Sequence, residues 1–341
     1  MESFEGRIAV ITGGGTGMGR ELAVALAREG CHLALCDVSE ENMAETRRLC
    51  EEAGPEAGGK ALRVSTFVCD VSDEAAMNAF RDDVARAHET EAIHLLFNNA
   101  GIGGGGSLFD DDRSAWDTCF AVCWNGVLNG TRSFLPMLAA ADAGHIVNTS
   151  SINGFWAYIG PASPHTSYSA AKFAVKGFTE ALITDLRINA PHVKCSVVMP
   201  GHIGTQIVAN SMAMLGRDPD QLDAAQIDEV RQMLIGMDLP VSNVPDDEIR
   251  ALMRMRAQMF ESEAPTSAAD AAKIILDGVR AGRWRILVGE DAQVLDGMVR
   301  ADPENAYEQS FVEKLVAAGH MEGLINSAAA ANSDMGAAGQ N

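Results

Sequence analysis

Residues 150–172 read SSINGFWAYIGPASPHTSYSAAK, which sets paired hydroxyls, a phenol and an ammonium in close succession. Tyr168 and Lys172 are four positions apart, and on a helix that spacing puts both on one face. A free phenol, with a pKa of about 10, exchanges protons poorly at neutral pH. A neighbouring ammonium stabilises the phenolate and makes the tyrosine usable as a general acid or base. A serine hydroxyl held nearby, from Ser150 or Ser151, could hydrogen-bond a substrate oxygen and stabilise charge developing on it. Tyr158 has Ala162 four positions on, so it lacks the activating charge and is expected to pack or to line the substrate mouth. His165 reads as a loop histidine, at a pocket rim or exposed, rather than as a general base. No His, Cys or Asp cluster has metal-ligand spacing, and His192 and His202 stand alone, so no metal is expected.

A second group of chemistry-bearing residues lies near the N-terminus. RIAVIT (7–12) is a short apolar run, GGGTGMG follows, and LAVALAREG then has helical spacing up to Gly30. At Gly13, Gly17 and Gly19 the missing side chains let a pyrophosphate approach the backbone, and the helix N-terminus offers unpaired N–H groups and a positive dipole. Asp37 ends the second apolar run, 18 residues after Gly19. A carboxylate there can accept from both ribose hydroxyls of NAD and would repel a 2′-phosphate. Thr16 precedes Gly17 and Val38 follows Asp37, so nothing basic awaits that phosphate, and NAD is favoured over NADP.

These groups need a frame. LALCD (33–37), RVSTFVCD (63–70), HLLFNNAG (94–101), HIVNTSS (145–151), KCSVVMPG (194–201) and RWRILVG (283–289) read as further strands. Helices are expected from a Ser39 cap to about 53, from a Ser72 cap to about 90, over about 112–140, over 167–189 and over 267–281. Seven strands alternating with helices predict an α/β fold with a doubly wound parallel sheet. Residues 206–265, rich in methionine and acids, fall outside this unit, and the low-complexity tail at 326–341 is expected to be disordered. The rest, 1–325, reads as one domain.

Taken together, the motifs resemble those of the short-chain dehydrogenase/reductase family. They are Thr12-Gly13…Gly17…Gly19, Asn98-Asn99-Ala100-Gly101, Ser151, Tyr168…Lys172 and Pro200-Gly201, and the match covers roughly 5–205 and 266–290. The resemblance implies a Rossmann-like sheet of order 3-2-1-4-5-6-7 with helices on both faces. It implies Ser151, the second serine of its pair, with Tyr168 and Lys172 as the catalytic set. Lys172 would also bind the nicotinamide ribose. Cofactor contacts carry over to Gly13, Gly15, Thr16, Gly17, Met18, Gly19, Asp37, Thr149, Tyr168, Lys172, Pro200 and Gly201. Asp70 and Val71 match the pair at the adenine, Asn98, Ala100 and Gly101 line the adenosine side, and Ile203 and Thr205 hold the carboxamide. One position departs from the pattern. The family's tetrad Asn falls on Cys123, and Asn125 lies roughly 200° around the helix from it. Because that Asn acts largely through its main-chain carbonyl, activity is expected to survive. A Cys123 nucleophile is the alternative reading.

The substrate side is enlarged. The spacing from Ser151 to Tyr168 exceeds the family's usual length, and the extra residues include Phe155, Trp156 and Ile159. The later segment supplies Met212, Met214, Met233, Met237, Met253, Met255 and Met259, which suit an adaptable lid over an apolar ligand or ordinary helix packing. A bulky hydrophobic secondary alcohol or its ketone, aromatic or steroid-like, is the expected substrate, in an oxidoreductase of the NAD-dependent alcohol dehydrogenase type. The alternatives are an NADP-linked oxoacyl reductase and a catalytically idle nucleotide sensor. With 47% hydrophobic residues in 341 and a net charge of −21, the chain can bury a core and would repel nucleic acid and anionic membrane surfaces. Seven scattered cysteines, no apolar run of membrane length and no basic-then-apolar start point to a reduced, cytoplasmic protein. The helices at 112–140 and 167–189 are those the family uses to pair subunits, so a homodimer or homotetramer is expected.

Overall fold

The computed structural model describes residues 1–55, 62–104, 106–109, 113–160, 164–236 and 239–320. The first half alternates strand and helix: β1 (Ile8–Thr12), α1 (Gly17–Arg28), β2 (His32–Asp37), α2 (Glu40–Ala53), β3 (Val64–Val68), α3 (Glu74–His88) and β4 (Leu95–Asn98). Next come α4 (Arg113–Phe120), a π turn (Ala121–Asn125), α5 (Gly126–Ala139), β5 (Gly144–Thr149), a 3₁₀ turn (Ile152–Gly154), α6 (Thr166–Asn189) and β6 (Val193–Pro200). The remainder is β7 (Ile203–Gly204), α7 (Ile207–Met214), α8 (Ala224–Gly236), α9 (Asp246–Ser262), β8 (Thr266–Ser267), α10 (Ala268–Arg280), β9 (Arg285–Val288), α11 (Glu290–Ala301) and α12 (Gln309–Ala317).

Seven strands form one parallel sheet in the order β3-β2-β1-β4-β5-β6-β9. β9 is its seventh strand in sequence, so the expected order 3-2-1-4-5-6-7 holds. β7 and β8 make a separate two-residue parallel pair. The apolar runs follow from burial on both faces. Ala9 and Ile11 pack on one side with Leu22, Leu26 and Ile275, while Val10 packs on the other with Leu96, Phe134 and Ile146. The strand order reverses between β1 and β4, and such a switch point opens a crevice at the carboxyl ends of the strands.

Local chemistry sets the element ends, with three departures from the sequence reading. Ser39 caps α2 as expected, its side chain accepting from Asn42 N at 3.2 Å. α3 is capped by Asp73, not Ser72. The Ser72 hydroxyl donates to Asp70 Oδ1 at 2.8 Å, so Asp73 is left to accept from Ala75 N and Ala76 N. The helix expected over 112–140 is interrupted by the π turn around Cys123. Two further helices, α11 and α12, extend the chain past the last strand. The tail expected to be disordered lies outside the described residues, as does Met237.

Candidate active site

Two adjoining cavities open at the switch point. The first, of about 500 Å³, runs from the glycine turn along the ends of β2 and β3. Gly13 has φ +64°, and a Cβ there would stand 2.8 Å from Ala100 Cα. At Gly19 a Cβ would fall 2.0 Å from Gly13 O, so only glycine lets α1 pack against the turn. Gly13, Thr16, Gly17, Met18, Asp37, Asp70, Val71, Ala100, Gly101 and Thr205 all line this cavity. Gly15 and Gly19, also expected among the cofactor contacts, are not among its lining residues. Gly15 N donates to Asp37 Oδ2 at 3.0 Å and Ser39 N donates to Oδ1 at 3.1 Å, so two backbone amides aim the carboxylate. Among the described residues no lysine or arginine lines this cavity. Nearby Arg20 is held by Thr46 Oγ1 at 2.9 Å and by the carbonyls of Gly15 and Asn42. The side chains present therefore fit a dinucleotide with a free ribose 2′-hydroxyl.

Asn98, expected among the cofactor contacts, instead turns its side chain into the core. It is 1% exposed, donates to Asn148 Oδ1 at 2.8 Å and to Thr131 Oγ1 at 3.1 Å, and thereby ties β4 to β5 and α5. β alternation sends the next residue the other way, so Asn99 lines the cavity and also donates to the Thr12 and Gly13 carbonyls.

The second cavity, of about 390 Å³, is lined by Thr149, Ser151, Tyr168, Lys172, Pro200, Gly201 and Ile203, and it shares Met18, Gly101 and Thr205 with the first. α6 carries Tyr168 and Lys172 on one face, with the Lys172 ammonium 5.3 Å from the phenol ring centroid. Lys172 is 2% exposed and donates to Thr149 O at 3.0 Å. Gly101 leaves room for it, since a Cβ there would come within 3.3 Å of Nζ. Burial pushes the Tyr168 phenol above its ordinary value, while Lys172 and a hydrogen bond with Ser151 pull it back. The Lys172 ammonium is held above the usual lysine range. Burial opposes this, and the ionisable Cys123 and Tyr168 beside it outweigh burial. Ser151 Oγ lies at the start of the 3₁₀ turn, accepting from Asn153 N at 3.1 Å. Ser150 is not available in its place, because its hydroxyl donates to Lys172 O at 2.7 Å. A phenol, a hydroxyl and a buried ammonium thus converge in one apolar cavity and can pass a proton to or from a substrate oxygen.

Cys123 is fully buried, with Sγ 3.2 Å from Ile102 O. It therefore occupies the inner side of the π turn, while Asn125 is not part of either cavity.

The cavity walls correct one expectation, that Phe155 and Trp156 enlarge the substrate side. Of the segment after Ser151, Ile152, Asn153 and Ile159 face the cavity, but Phe155, Trp156 and Tyr158 turn away to pack with α11 and α12. Trp156 Nε1 donates to Ala306 O at 2.7 Å, and its ring lies 5.1 Å from that of Tyr158. Of the methionines, Met212 and Met214 reach the cavities, Met253 sits in the separate core of α8 and α9, and Met233, Met255 and Met259 are exposed. His165, expected at a pocket rim or exposed, lines the second cavity, as do Val208, Leu215 and Phe260, which sequence reasoning left unassigned. No local spacing signals Val208, Leu215 or Phe260.

The fold and the cavities define a nucleotide-binding oxidoreductase framework. A family model described as short chain dehydrogenase matches residues 7–216, and the chain belongs to the short-chain dehydrogenase/reductase family. It is 34% identical over 320 residues to the oxidoreductase SadH of Mycobacterium tuberculosis, covering 94% of this chain and 97% of that protein. Levodione reductase of Leifsonia aquatica is 35% identical over 223 residues, 64% of this chain and 76% of its own. A short-chain dehydrogenase/reductase from Burkholderia phymatum, solved in complex with NAD, superposes with a TM-score of 0.70 at 30% identity, covering 89% of this chain and 96% of that one. The protein is thus an oxidoreductase of the short-chain type.

Proposed function

We propose that the protein interconverts a bulky hydrophobic secondary alcohol and its ketone, using NAD(H). The observation that carries this reading is the meeting of Ser151, Tyr168 and Lys172 in an apolar cavity that adjoins the glycine turn and Asp37. NAD, when bound, would supply or accept the hydride. In oxidation, Tyr168 Oη would take the hydroxyl proton as hydride leaves the carbinol carbon, and in reduction it would return that proton to the carbonyl oxygen. Ser151 Oγ would hydrogen-bond the reacting oxygen, and Lys172 would hold the phenolate charge. The preference for NAD is supported by the aimed Asp37 carboxylate and the lack of a cation lining the first cavity. The apolar lining from Ile152, Ile159, Val208, Met212, Leu215 and Phe260 supports a hydrophobic substrate. Self-association as a dimer or tetramer is part of this reading, with Phe173 and Ile188 exposed on α6.

Fluorescence titration with NADH and NADPH tests the cofactor. NADH should bind at least tenfold more tightly, and Asp37→Ala should narrow the gap. A panel of apolar secondary alcohols assayed for NADH formation tests the chemistry. No turnover with either cofactor across the panel would sink the reading.

A further inference from the structure

His165 stands three residues before Tyr168, its ring centroid 4.9 Å from the phenol ring. Its Nε2 accepts a hydrogen bond from Gly104 N at 3.3 Å. A ring nitrogen that accepts from an amide carries no proton, so a neutral imidazole must hold its hydrogen on Nδ1. Burial keeps the imidazole neutral at physiological pH, pushing its pKa down to about 4. No hydrogen bond of Nδ1 to a described residue is found, and His165 lines the cavity together with Ser151 and Tyr168.

Several other polar groups of that wall are committed to the protein. Ser150 donates to Lys172 O, Asn153 to the Trp156 and Tyr158 carbonyls, and Ser211 to Ile207 O. His202 Nε2 is 2.7 Å from Phe260 O. Beside Ser151 and Tyr168, which face the reacting oxygen, the His165 Nδ1–H is an uncharged donor in a wall built largely of Ile152, Ile159, Val208, Met212, Leu215 and Phe260, with Arg217 and Thr205 also lining the cavity. Such a donor can be satisfied by a ligand atom or by water.

We infer that His165 is a specificity-determining residue whose Nδ1–H binds a second, uncharged oxygen of the substrate. The preferred substrates are then alcohols or ketones bearing a further carbonyl, hydroxyl or ether oxygen close to the reacting carbon. A neutral imidazole offers a donor without adding charge, which suits an uncharged oxygen. The inference rests on the proposed alcohol–ketone chemistry at Ser151 and Tyr168.

The test compares acetophenone with 2-hydroxyacetophenone, which differ by one oxygen, in the wild type, His165→Gln and His165→Phe with NADH. Gln can still accept from Gly104 N while losing the Nδ1 donor, and Phe keeps the ring volume. Both variants should lower kcat/KM for the hydroxyketone about tenfold, mostly through KM, and leave acetophenone within about twofold. An equal loss on both ketones, or an unchanged ratio between them, overturns the inference. Ring ¹⁵N spectra of histidine-labelled protein give a readout that needs no turnover, with the His165 signals assigned by their loss in His165→Gln. Nδ1 should be the protonated nitrogen, and its resonance should shift when 2-hydroxyacetophenone joins the protein and NAD. A ring protonated at Nε2, or no shift, also overturns it. If the wild type reduces neither ketone, the alcohol–ketone reading fails, and the nitrogen spectra still decide the role of His165.

Discussion

At the scale of single residues, the site rests on a phenol whose ionisation is contested. Burial raises it, and Lys172 and Ser151 lower it. If Tyr168 moves the proton, Tyr168→Phe should cut kcat by about 100- to 10,000-fold, the usual worth of a positioned acid or base. NADH affinity should stay nearly unchanged, so stopped-flow binding beside steady-state rates separates chemistry from cofactor binding. Cys123 is the residue where this chain leaves its family's pattern. Its thiol is packed against Ile102 O, and its carbonyl belongs to the π turn. Cys123→Ala should therefore keep activity within about threefold while lowering Tm slightly through a small cavity. A loss of turnover with cofactor still bound would mean that the thiol itself takes part.

At the scale of elements, several parts declare themselves locally. A glycine turn between a strand and a helix, and a Tyr–Lys pair on one helical face, depend on spacing alone, so both were legible in the sequence. The π turn at Ala121–Asn125 was not. Helical periodicity through residues 113–139 is too nearly continuous to betray one extra residue in a turn. Nor were α11 and α12, helices of 12 and 9 residues, too short to be stable on their own. They owe their place to the fully buried Trp156, whose ring lies 5.7 Å from that of Phe311. Trp156→Ala should cost about 3–5 kcal/mol, as buried tryptophan deletions do. Urea unfolding would measure it, and hydrogen exchange should show α11 and α12 opening first. The insertion is anchored by another contact hidden from sequence, Asn210 Nδ2 donating to Thr16 Oγ1 at 2.9 Å across the first cavity.

At the scale of the whole molecule, the buried His88 and His145 and the half-buried His165 link fold and pH. Burial pushes His88 and His165 down to about 4 and His145 to about 3. In the unfolded chain each titrates at about 6.5, so below that pH the unfolded state binds more protons and gains on the folded one. The stability they contribute is complete above about pH 6.5 and is lost as pH falls towards 4. Tm measured by calorimetry should drop by several degrees per pH unit across that window, and less after His145→Gln if that variant folds. Light scattering behind size exclusion checks the proposed self-association, where a dimer or tetramer is expected. A monomer at micromolar concentration would remove it. Among the described residues no helix is long and apolar enough to cross a membrane. By itself the sequence determined the alternation of strands and helices, the glycine turn with Asp37 and the Tyr168–Lys172 pair, because each depends on spacing within one strand, turn or helix, while the sheet order and the grouping of Ser151 with that pair were implied by the resemblance to the family. The tertiary structure alone decided which side chains became walls. It sent Trp156 and Tyr158 to the C-terminal helices, turned Asn98 into the core, and set His165, held by Gly104, in the cavity wall. Those outcomes depend on contacts between segments tens to more than a hundred residues apart, and no local spacing encodes them.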